Sequence, residues 1–245
     1  MISIDKKLGY IYSSTLRGVF KIITPIKNSM ILNDCEVHVF IQSNVLNIIK
    51  NENYNNEYEL FRNYIKHINK GLVWADQDFK SYYHFYNPKK EIRRFIDGID
   101  AMKLSKEYYN KALEYARYNN YDKSMFYFGA VCHLVQGLTI PHHAKGSLLD
   151  NHRQFEKYIK LNDKRINRFN IYKGPIIFNS IEDYIENNSL NALKIDNMHR
   201  CIKDLNSKFY LMAIESISLA QKTTAGLMIT FYKDINKFNK IVNNR

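Results

Sequence analysis

Apolar residues recur at helical spacing through most of this chain, and little in it would interrupt a helix. Phe95, Ile99, Met102, Tyr109, Leu113 and Ala116 are separated by three, four or seven residues, which places them on one helix face. Val37, Ile41, Val45 and Ile48 repeat the pattern nearer the start. Only nine glycines and four prolines occur in 245 residues, which favours long helices over many turns. No segment alternates strongly enough to compete as a strand. The expected fold is all-α: a single-domain helical bundle whose functional side chains project inward from several helices.

Along the chain, residues 1–31 read as an N-terminal arm and residues 32–240 as the helical domain. Asn33 with Glu36 three residues on predicts a capped helix start, and that helix runs to Lys50. A second helix is predicted over Tyr58–Lys70, stopped by Gly71. Gly71 to Pro88 reads as a long, ordered, aromatic loop. The Lys90–Asn119 helix breaks at Asn119-Asn120. Tyr121 to Leu138 is apolar around Phe126–Leu134, so it is predicted to be a buried helix, ended by Pro141. Asp150–Lys160 and Ser180–Leu193 read as helices with a mixed loop between them. Asp196–Lys237 reads as one long helix or two in tandem.

Four of the eight histidines fall between residues 133 and 152, and imidazole with carboxylate is a donor set that zinc selects. His152 and Glu156 are four apart and share a helix face. His143 follows Pro141, where the chain re-aims. His143, His152 and Glu156 therefore form a first candidate metal site, with two imidazoles, one carboxylate and an open position. A second combines His133, buried in the apolar helix, with His84 and Asp76 from the aromatic loop; Asp78 is an alternative to Asp76. A buried histidine needs partners, and these can supply them. His38, one turn after Asp34, is a weaker third candidate, and Asp34 serves equally well as a helix cap. His67 and His199 read as surface groups, and His142 as a supporting or exposed neighbour of His143.

The net charge of +12 and pI near 9.4 come from dispersed lysines and arginines, which implies a modest preference for anionic surfaces. Cys35, Cys132 and Cys201 show no paired spacing and read as core cysteines. No secretory signal or membrane-spanning run is evident, so the compartment stays open. The chain has no Gly-x-Ser-x-Gly, no phosphate-cradling glycine-lysine loop, and too little glycine for a dinucleotide fold.

Four stretches resemble the bacterial zinc-dependent phospholipase C family, whose members include phosphatidylcholine-preferring enzymes and the catalytic part of clostridial alpha-toxin. They are Ala75-Asp76 with His84-Phe-Tyr-Asn-Pro88; Phe126 to His133 leading to Pro141-His-His143-Ala; His152-Arg-Gln-Phe-Glu156; and Thr224-Ala-Gly226 leading to Phe231-Tyr232. The resemblance covers about residues 33–238. It implies an all-α fold of the phospholipase C and single-strand nuclease type. It also implies two or three zinc ions, and hydrolysis of phospholipid to diacylglycerol and a phosphorylated head group. Carried over, His143, His152 and Glu156 hold one ion. His84, His133 and Asp76 serve a second, with Asp76 also orienting or deprotonating the attacking water. His38 belongs to a third. Tyr82, Tyr83 and Phe79 are candidate pocket walls.

The resemblance also implies two departures. The family has a metal-bridging aspartate four residues after His133, where this chain has Gly137; Asp34 or Gln136 are conceivable substitutes. The family's third site uses an N-terminal tryptophan, whereas the single tryptophan here is Trp74. The toxin's separate lipid-binding domain is not expected. The expected partner is a phospholipid or membrane surface, with nucleic acid less favoured and the protein a monomer. The alternatives are a nuclease-like phosphodiesterase of the same fold, which the basic charge mildly favours, and a non-catalytic descendant with an eroded site, which Gly137 favours. The family is mostly secreted.

Overall fold

A computed structural model describes residues 36–77, 84–89, 100–146, 151–163 and 165–243, with side chains described as far as Lys237. The N-terminal arm, the Asn33 cap, Asp34, Cys35, Asp78, Phe79, Tyr82, Tyr83, Phe95 and Ile99 lie outside the described residues. Within them the secondary structure is helical, with no strand: α1 (Glu36–Asn51), α2 (Asn55–Asn63), α3 (Ile65–Asp76), α4 (Ala101–Arg117), α5 (Tyr121–Gly137), α6 (Pro141–Lys145), α7 (His152–Asn162), a 3-10 turn (Asn167–Phe169), α8 (Ile181–His199) and α9 (Leu205–Asn243). The all-α expectation holds. No described helix is long and apolar enough to cross a membrane.

Local chemistry sets the helix starts. Asp100 accepts from the Lys103 amide to open α4, and Asn120 from the Lys123 amide to open α5. Ser180 and Asp183 cap α8 reciprocally. Pro141 opens α6 at its first turn, where a missing amide hydrogen costs nothing. The Asn119 break predicted between α4 and α5 is a left-handed residue, φ 56°. The Ser180–Leu193 helix runs on to His199 as α8, so the break expected before Asp196 falls instead at 200–204, where Asp204 accepts from the Ser207 amide, and the rest of the Asp196–Lys237 region is the single helix α9.

Gly71 does not end a helix. The predicted Tyr58–Lys70 helix is divided at Tyr64, and its second part continues through Gly71 to Asp76. The residue is glycine because α3 and α5 touch there. A Cβ on Gly71 would lie 1.7 Å from the Phe126 carbonyl oxygen, and one on Gly129 2.0 Å from that of Ile68. Two facing glycines thus bring the helix backbones into contact. Asp76 lies five residues beyond Gly71, and His133 four beyond Gly129, so both reach the same end of the pair.

The buried α5 forms the centre of the packing. Phe128 stacks on Phe231 of α9 at 4.0 Å between ring centroids and also stacks with Phe61 of α2 at 5.7 Å. Tyr109 of α4 donates a 2.8 Å hydrogen bond to Asp234 of α9. Gln221 of α9 clamps the loop after the 3-10 turn, donating to the Phe169 carbonyl and accepting from the Ile171 amide. Cys132 is a core residue as expected, but Cys201 is exposed, because it falls in the turn between α8 and α9.

Candidate metal centre

Two groups of donors converge where α1, α3, α5, α6 and α7 meet the segment at 84–87. In the first group, His133 on α5 points Nε2 at His84 Nδ1, 3.4 Å away, and at Asp76 Oδ1, 3.7 Å away. In the second, α7 presents His152 and Glu156 one turn apart, and α6 brings His143 to them. His143 Nε2 lies 2.8 Å from His152 Nε2, and Glu156 Oε1 lies 2.9 Å from His152 Nε2 and 3.5 Å from His143 Nε2. The two groups abut, with the His84 and His143 rings 6.4 Å apart.

Nitrogen and oxygen donors at ordinary zinc distances stand roughly 3.3–3.5 Å apart on a tetrahedron. The edges at 3.4, 3.5 and 3.7 Å lie near that length, the 2.8 and 2.9 Å contacts to His152 are hydrogen-bond distances that would open by about half an ångström around an ion, and every donor is an imidazole or a carboxylate. The residues therefore fit zinc. The protonation states agree. Burial pushes the His84 imidazole down to about 4, with Asp76 opposing. Burial, then the nearby His38, His84 and His143, holds His133 well below its ordinary value. These rings are neutral at pH 7 and offer lone pairs. Burial alone would raise the Glu156 carboxyl, but hydrogen bonds from His143 and His152 hold it well below the usual carboxylate range. The carboxylate is half exposed, so this group opens to solvent.

Neighbouring groups fix which nitrogen faces inward. His84 donates from Nε2 to the Ala75 carbonyl at 3.1 Å, which leaves its Nδ1 lone pair toward His133. His38 on α1 sits against His133, ring centroids 4.2 Å apart. Its Nδ1 is 2.9 Å from Gln136 Oε1. Burial lowers its pKa, and Asp76, His143 and Glu156 are all close enough to act on it. Among the described residues, the buried Nδ1 atoms of His133 and His143 have no hydrogen-bond partner. Gly137 faces the second of these: a Cβ there would lie 3.2 Å from His143 Nδ1.

Of the residues selected from sequence, Asp76, His84, His133, His143, His152 and Glu156 fall in the two groups, and His38 stands beside them. His142 is buried against His152 and Phe155, not exposed, because α6 is packed on both faces. His67 pairs with Asp122 at the surface. His199 is largely covered and bonded to Glu215 at 2.7 Å, so it is not the free surface group expected. Gln42 escaped the sequence reading; a polar residue four after His38 was its only signal.

The model of the family described as zinc dependent phospholipase C matches residues 37–216, most of the chain and every donor named above. The chain belongs to this family. Among solved structures, this phospholipase C family member is similar to an alpha toxin from Clostridium absonum, with a TM-score of 0.70 and 16% identity over 81% of this chain and 63% of that one. It is similar also to Clostridium perfringens alpha-toxin from an avian strain, with a TM-score of 0.68, 16% identity and the same coverages. At this identity the likeness is one of fold, and the chain spans less than two thirds of either toxin. No curated protein matches the chain.

Proposed function

We propose that this family member is a zinc-dependent phosphodiesterase that hydrolyses phospholipid to diacylglycerol and a phosphorylated head group. The observation that carries the reading is the abutment of the two donor groups, Asp76–His84–His133 and His143–His152–Glu156. His84, His133 and Asp76 would hold one ion and His143, His152 and Glu156 another, with His38 beside the first. Zinc bound there supplies positive charge to phosphoryl oxygens and lowers the pKa of coordinated water.

The protein's own contribution is arrangement and proton handling. The neutral imidazoles of His84 and His133 bring no positive charge of their own, so they add no repulsion toward a cation. Asp76 is a quarter exposed at the end of α3, so water reaches it. Its carboxylate orients that water and accepts its proton, the role of a general base. Half-exposed Glu156 marks the side from which a head group enters.

The test is release of phosphorylated head group from phosphatidylcholine vesicles by purified protein, with zinc and with a chelator, beside a parallel digestion of single-stranded DNA. Zinc-dependent head-group release that the chelator abolishes is the expected result. DNA cleavage without lipid turnover would move the assignment to a nuclease. Neither activity at any zinc level would overturn the enzymatic reading in favour of a non-catalytic protein, the reading that Gly137 favours.

A further inference from the structure

Behind His38 lies a line of buried polar side chains that ends on a methionine. His38 Nδ1 meets Gln136 Oε1 at 2.9 Å, Gln136 Nε2 donates to Gln42 Oε1 at 3.4 Å, and Gln42 Nε2 donates to Met228 Sδ at 3.4 Å. Both glutamines are fully buried, so neither amide can turn to water for a partner.

The thioether sets the direction of the whole line. Met sulfur only accepts, so the end of Gln42 that faces it must be the NH2 group. The Gln42 carbonyl then faces Gln136 and requires a donor there. That turns the Gln136 carbonyl toward His38, which must therefore carry its proton on Nδ1. Reversing the amides would set a carbonyl oxygen against the sulfur with no hydrogen between them. Both ends of the Gln136 amide are committed, so Gln136 does not replace the side chain missing at Gly137 as a ligand. It acts through His38.

We infer that Gln136, Gln42 and Met228 are positioning residues of the metal centre: they lock His38 in the Nδ1–H tautomer, so that its Nε2 lone pair is offered to an ion beside His133. The inference rests on the reading that this centre binds zinc. An imidazole whose second nitrogen is held is a stronger and better-aimed ligand, and removing such a partner typically weakens metal binding about 10- to 100-fold. His84 shows the same device in another form, with the Ala75 carbonyl as its acceptor.

Long-range proton–nitrogen correlation spectra of the zinc-stripped protein, with His38 assigned against a His38→Asn variant, read the tautomer directly. A protonated Nδ1 and an unprotonated Nε2 are expected, the latter shifting when zinc is added. Gln136→Met, close in volume, should weaken one zinc equivalent by about 10- to 100-fold in a chelator competition. Met228→Leu should mix the two tautomers. A wild-type His38 protonated on Nε2, or unchanged zinc affinity in Gln136→Met, overturns this inference alone. Wild-type protein that takes up no zinc overturns the metal reading and this inference with it. The wild-type spectrum needs no variant to fold, so the central test stands even if Gln136→Met does not.

Discussion

Asp76→Asn should lower phospholipid hydrolysis by about 10²- to 10⁴-fold, the range for losing a positioned general base. Asparagine matches the shape of aspartate and still offers one oxygen toward the ion held with His84 and His133, so the assay is run in excess zinc, but it cannot accept the proton of an attacking water. The loss should therefore fall on kcat with little change in KM. The ion at His143, His152 and Glu156 should remain, because those three donors are held against one another. A loss below about 10-fold would remove Asp76 from the role of base.

The second large effect is structural. Gly71→Ala should destabilise the fold by about 3 kcal/mol or more, the upper range for overpacking. The added carbon would lie 1.7 Å from the Phe126 carbonyl oxygen and 2.7 Å from its carbonyl carbon, both of them backbone atoms inside a helix. No rotamer change relieves that contact; α3 must move off α5. At this chain length such a loss lowers Tm by roughly 6–12 °C. Because α3 carries Asp76 and α5 carries His133, zinc bound at that pair should weaken in the same variant. Gly137→Ala is the control, since among the described residues its Cβ meets only the His143 ring, at 3.2 Å. A Gly71→Ala protein that melts with the wild type would contradict the close approach of the two helices.

The same glycine shows where sequence reading reaches its limit. A glycine after an amphipathic stretch signals a helix end as readily as a helix contact, and the distinction depends on a carbonyl 55 residues away. Reading it as an end made a loop of a segment that is helical as far as Asp76. The break at Tyr64 carries no glycine or proline at all, so nothing local announced it. By contrast, His152 and Glu156 were legible because the i, i+4 relation is fixed by helix geometry alone. His143 was legible because Pro141 re-aims the chain. The pairing of Asp76 and His84 with His133 rested on a buried histidine's need for partners and on the family resemblance that implied the same set, since no periodicity connects His84 to a helix residue 49 positions later. The line from Gln42 to Met228 spans 186 residues and involves ordinary core residue types, so only the fold reveals it.

The most direct test of a two-group zinc centre is elemental analysis of the folded protein after extensive dialysis, repeated on His152→Ala. The wild type should hold at least two zinc ions per chain, and the variant one fewer, with the melting transition intact before zinc is removed. One zinc or none in the wild type, or the same content in His152→Ala, would contradict it.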